Sequence, residues 1–179
     1  MKIYPDYTMQ AYHLLYPLMF QNTVTPIQYQ AQSSLPSSYA MYQTNLQAVL
    51  PLLQQAIQGE RNDELFYDYL IQNAPSNQDK EIIISIRDDE RRHRQMFRQM
   101  YYSLTGQMIG PSDSESFEKP ANYLSGIEKA IFGELSAVEL YRKIYFMIPG
   151  TVFKNMVFEI LTDEIKHASK YNFLYAKNK

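Results

Sequence analysis

The sequence predicts an all-α protein, an up-down-down-up four-helix bundle with one long crossover between its second and third helices. Three observations carry that prediction. Apolar residues recur at helical spacing in four long runs after about residue 46. Proline and glycine punctuate those runs, and a single long polar connection separates the second run from the third.

The first helix is expected to start between Gln43 and Pro51 and to run to about Asn73. Pro51 suits a helix start, because its missing N–H has no intrahelical partner there. The second helix follows Pro75, with Ser76 as N-cap and Asp79 three residues on, and stops near Gly106. The third begins around Pro120–Ser125 and ends at Ile148, before the Pro149-Gly150 stop. The fourth opens after Thr151, a second N-cap candidate, and runs to about Tyr175. Helices one and two, and helices three and four, are joined by a few residues each, so each pair reads as an antiparallel hairpin. The connection TGQMIGPSDSESFEKP is sixteen residues long. Fully stretched it reaches roughly 50 Å, against about 42 Å for a 28-residue helix. It can therefore cross the whole bundle and leave the second and third helices parallel.

Residues 1–45 form a segment of different character from the bundle of residues 46–179. From Thr8 through Gly59 there is no Asp, Glu, Lys or Arg, and seven of the sixteen tyrosines fall before residue 43. Leu14, Leu15, Leu18, Met19 and Phe20 in that segment call for a docking surface, on the bundle or on a second subunit. His13 is read as incidental.

Composition removes several function classes. The formal net charge of -2 offers no basic footprint, so nucleic acid is not an expected partner. No apolar run reaches the roughly 18–20 residues that span a bilayer, so no membrane partner is expected either. Pro5, Asp6, His13 and Pro17 interrupt what a secretory signal would keep apolar. There is no cysteine, which excludes disulfides, thiolate zinc sites, cysteine-bound iron–sulfur centres and a cysteine nucleophile. A cytoplasmic location fits that usage.

The chain repeats itself. DERRH at 89–93 is echoed by DEIKH at 163–167, and AIQGE at 56–60 by AIFGE at 130–134. Glu60 and Glu134, Glu90 and Glu164, His93 and His167, Asp89 and Asp163, and Tyr67 and Tyr141 are all 74 residues apart. One register held across two helices argues for duplication of a helical hairpin. Within a helix, residues three apart share a face, so Glu90 with His93, and Glu164 with His167, present a carboxylate beside an imidazole. Glu60 and Glu134 add one carboxylate from each remaining helix. Four buried carboxylates would be prohibitively costly uncompensated, and two divalent cations remove that cost. Oxygen-rich ligation with one nitrogen per ion favours iron or manganese.

This set resembles the ferritin-like dimetal-carboxylate proteins, and among them the rubrerythrin group, over about residues 52–176. The resemblance implies that Glu60, Glu90, Glu134 and Glu164 are metal carboxylates, two of them bridging, and that His93 and His167 are terminal ligands. It implies two metal ions, iron first and manganese second. It also implies that Asp89 holds His167 and Asp163 holds His93, and that Tyr67 and Tyr141 hydrogen-bond ligand carboxylates. The sequence departs from rubrerythrin in lacking the cysteine-bound iron domain, so the electron donor is expected to be external. A further family glutamate is replaced by Ala137, with Asp63 as the matching acid in the first helix. Gly59 and Gly133, each just before a ligand, are read as admitting close helix contact or substrate. Phe66, Phe97, Phe132, Phe158 and Tyr171 are expected in the core, and Glu64 and Glu139 on the surface.

The implied function is an oxidoreductase, of peroxidase or ferroxidase type, acting on peroxide or O₂. The alternatives are an iron storage or handling protein, and a structural coat or matrix component with a non-catalytic metal site. A homo-oligomer, a dimer in the first instance, is expected.

Overall fold

A computed structural model describes residues 38–110 and 117–179, with the side chains of residues 38, 39 and 59–64 outside that description. Among the described residues the chain forms four α-helices: α1 (Ser38–Asn73), α2 (Asn77–Thr105), α3 (Tyr123–Met147) and α4 (Thr151–Asn178). Most of the proposed 1–45 segment lies outside the described residues. The helix α1 begins earlier than expected, and Pro51 lies inside it. Proline there strips the Gln47 carbonyl of its helical partner. Both residues are exposed, so water can satisfy that oxygen.

The other ends follow local chemistry. Ser76 accepts a hydrogen bond from the Asp79 amide and caps α2, and Gly106 closes it in the left-handed conformation at φ 70°. Asn122 and Ser125 form a reciprocal capping box at the start of α3. Thr151 is not a cap. It is the first residue of α4, and Gly150 occupies the cap position without a side-chain bond.

The helix α1 packs on α2, and α3 on α4; α1 also meets α3, and α2 meets α4. This is a square with α2 and α3 on a diagonal, and only a long connection can join them. Two apolar blocks fill the interior. One contains Leu53, Ala56, Phe97, Met100, Tyr141, Ile144, Val157 and Ile160. The other contains Ile127, Ala130, Tyr171, Leu174, Tyr67, Leu70, Ile83 and Ile86. Moving 74 residues along the chain converts each of these positions into its counterpart in the other block. The duplication thus extends through the core as a pseudo-two-fold exchange of the two blocks.

Two expectations are corrected. Phe132 and Phe158 are 64% and 57% exposed, not core; both lie on the helix face turned away from the ligand stripe, about 160° and 120° around from Glu134 and Glu164 at 100° per residue. A side chain at Gly133 would meet nothing within 4 Å, so this glycine does not permit close helix contact. Gly126 does: a Cβ there would lie 2.6 Å from Leu70 Cδ2, at the contact of α3 with α1.

Candidate metal centre

Between the two apolar blocks lies a polar layer. Glu90, His93, Glu134, Glu164 and His167 are at most 4% exposed. The spacing of three residues on α2 and on α4 puts each Glu and its His on the inward face, and Glu134 enters from α3. Oxygen and nitrogen atoms of Glu90, Glu134, Glu164 and His167 lie within 4.8 Å of one another. The imidazole centroids are 5.8 Å apart, inclined by 29°.

The carboxylates divide by geometry. Glu90 spans both histidines, with Oε1 2.9 Å from His167 Nδ1 and Oε2 3.4 Å from His93 Nδ1. Glu164 does the same from the other side, at 3.0 Å from His93 Nδ1 and 3.7 Å from His167 Nδ1. Glu134 approaches His167 alone, at 3.9 Å. The Tyr67 hydroxyl donates to Glu134 Oε1 at 2.9 Å. Tyr141 packs on Phe97 at 4.9 Å. The sequence-predicted partner of Glu134, Glu60, lies in α1, but its side chain is outside the described ones, as are those of Asp63 and Glu64.

The outer nitrogen of each imidazole faces an aspartate of the neighbouring helix. His93 Nε2 is 3.1 Å from Asp163 Oδ2, and His167 Nε2 is 3.1 Å from Asp89 Oδ2. Burial opposes ionisation of Asp89, but hydrogen bonds from His167 and Lys166 prevail and bring its pKa down to about 2. Asp163 is lowered too, with burial outweighed by Lys166 and His93. An ionised carboxylate only accepts, so each Nε2 carries a proton and Nδ1 is the ring atom turned inward.

The inward atoms behave unlike an ordinary hydrogen-bonded core. Nδ1 of His93, Nδ1 of His167 and Oε1 of Glu90 are buried, yet none has a hydrogen bond among the described residues. Burial, with Glu90 as a neighbouring negative charge, raises the Glu134 carboxyl to about 7 despite its contact with Glu164. Burial would lower His167, but Glu90 and Glu134 overcome it and raise it. Burial would likewise raise Glu90, and the two histidines lower it instead. The layer is short of positive charge at its centre. Its donor set, carboxylate oxygens with one imidazole nitrogen on each side, fits a metal site.

A four-helix bundle with this buried Glu/His cluster defines a class, and comparison with known proteins gives the family. The rubrerythrin family model matches residues 51–175. The chain is 33% identical over 116 residues to the uncharacterized protein YhjR of Bacillus subtilis (strain 168), covering 65% of this chain and 79% of that protein. The chain belongs to the rubrerythrin family. Among the described residues no helix is long and apolar enough to cross a membrane.

Sequence reasoning missed Arg92 and Lys166. Arg92 lies 3.0 Å from Asp89 and 2.8 Å from Asp163. Lys166 lies 3.2 Å from Asp89 and 2.6 Å from Asp163. The signal was present, since the two cations are themselves 74 residues apart. The burial of Asp79, which the sequence places only as the third residue after the Ser76 cap, was also missed.

Proposed function

We propose that this protein is a dimetal-carboxylate oxidoreductase that reduces peroxide or O₂ with electrons from an external donor. The observation that supports it most is the convergence of two histidine Nδ1 atoms and the Glu90 Oε1 atom, all buried and without hydrogen bonds. In this reading Glu90 and Glu164, each facing both imidazoles, would be shared between the two halves of the centre. Glu134 and His167 would hold one ion. Glu60, by the repeat, would join His93 in holding the other. A bound pair of iron ions, or of manganese ions, would supply redox equivalents and Lewis acidity.

The chain's own groups do the rest. Asp89 and Asp163 keep each ring in the tautomer that presents Nδ1. Tyr67 holds one oxygen of Glu134 and leaves the other free to turn inward. The apolar blocks exclude bulk water and so strengthen each electrostatic contact between them. Glu134, with its carboxyl raised to about 7, can hold a proton at neutral pH and release it when positive charge arrives. A homo-oligomer, first a dimer, belongs to the same reading. Phe132, Phe146 and Phe158, each more than half exposed, provide apolar surface for a second copy.

Metal analysis of protein purified without chelator tests this directly, followed by mixing the Fe(II) form with peroxide and with O₂ under near-UV detection. Two metals per chain and rapid oxidation by peroxide are expected. Faster reaction with O₂ and retained ferric product would redirect the reading to ferroxidase, and absence of metal uptake would overturn it.

A further inference from the structure

The repeat places one cation on each side of the two aspartates. Each cation touches both aspartates instead of only the one in its own helix. Arg92 reaches Asp89 through Nη1 and Asp163 through Nη2. Lys166 reaches Oδ1 of Asp163 and Oδ2 of Asp89 through Nζ. Asp89, Arg92, Asp163 and Lys166 therefore form a closed ring of alternating charge across α2 and α4, outside the two imidazoles. Each imidazole hangs from it by Nε2.

Stability does not explain the ring. Arg92 and Lys166 are 47% and 46% exposed, and exposed pairs contribute little to folding. The aspartates, at 17% and 14% exposure, face inward to the rings. Arg92 also approaches Glu159, but only at 3.7 Å. What the ring does is fix two carboxylates relative to each other across an interhelical gap.

We propose that Arg92 and Lys166 are positioning residues that make the two histidines one mechanical unit, so that each cation acts on both halves of the centre. This rests on the metal reading above. If each aspartate served its histidine independently, a cation would matter to one half only. With the ring, one remaining cation still spans both aspartates, and loss of both frees them together.

The test titrates the metal-free full chain with Co(II) under argon, following the visible d–d bands and heat of binding. Wild type, R92Q, K166Q, R92Q/K166Q and R92K are compared. Each single glutamine variant should weaken both Co(II) steps by a similar factor of about 3 to 10, and the double variant should lose several-fold more than the product of the two single losses. R92K should restore most of the R92Q loss and its band intensities, and metal-free melting temperatures should stay close together. Changes confined to one of two binding steps, or a double variant that binds as wild type does, would overturn the ring. If wild type itself takes up no Co(II), the metal reading falls and the ring's role with it. If wild type takes up two and the variants match it, only the ring falls.

Discussion

Two regions of the bundle bury acid, and they do so in opposite ways. At one end Asp79 is fully buried, with Lys177 on Oδ1 and Asn178 Nδ2 donating to Oδ2 at 3.0 Å. Burial disfavours its charge, but bonds from Lys177, Ser76 and Asn178 lower its pKa below the ordinary value. In the middle layer, Glu134 receives Tyr67 yet faces other carboxylates, and its pKa rises to about 7. The first acid carries its own cation in the sequence. The second layer sets three buried carboxylates against two imidazoles. A buried acid with a built-in partner tightens the fold, and acids left without one mark a place for something from outside.

Three measurements sharpen or break that contrast. The largest effect is expected for Asp79→Asn, which strips a buried charge from its partners. It should destabilise the chain by about 3 kcal/mol, read as a fall in melting temperature, with metal stoichiometry unchanged. A melting temperature equal to wild type would remove Asp79 from the structural side of the comparison.

Glu134→Gln should move the metal-free protein the other way. At pH 8 it removes a carboxylate that is ionised against the cost of its burial, and should stabilise the metal-free chain by roughly 2 kcal/mol while weakening metal uptake. If it destabilises the metal-free form, the layer is satisfied without a cation and the contrast fails.

The pH dependence is the smallest effect and has opposite signs at the two places. Asp79 is depressed, so its contribution holds above the ordinary carboxylate value of 3.8 and fades as pH falls through the lowered one. Glu134 is raised from 4.5 to about 7, so its favourable contribution is complete below 4.5 and disappears as pH rises through about 7. Metal uptake must displace that proton. Affinity for Co(II) should therefore climb at least tenfold per unit, roughly 1.4 kcal/mol, as pH approaches 7 from below, with the raised His167 adding to the slope. A flat isotherm series between pH 5.5 and 7 would show that Glu134 gives up no proton.

Much of this was legible in the sequence because the repeat and the breakers are local signals. Pro75, Gly106 and Pro149 marked helix ends, and the 74-residue register brought Glu90, His93, Glu134, Glu164 and His167 to one level. Pairing of each aspartate with the opposite histidine was expected on resemblance alone, and each pair lies 3.1 Å apart. The start of α1 was not legible. Its first turns are uncharged, and Pro51 mimics a boundary until the exposure of its neighbouring carbonyl is known. The exposure of Phe132 and Phe158 was hidden for another reason: residue type favours burial, but their angle around the helix axis decides it. Arg92 and Lys166 escaped because charged side chains on a helix usually face water, and only coordinates reveal that both reach across.

The long connection between Gly106 and Asn122 has one more consequence. By the proposed assignment each hairpin brings half of the ligands, Glu60, Glu90 and His93 on one side and Glu134, Glu164 and His167 on the other. Neither half could chelate properly alone. A chain severed in that connection would become two complementary fragments, and the ions would then act as rivets between them, turning metal supply into a control on whether the halves stay together.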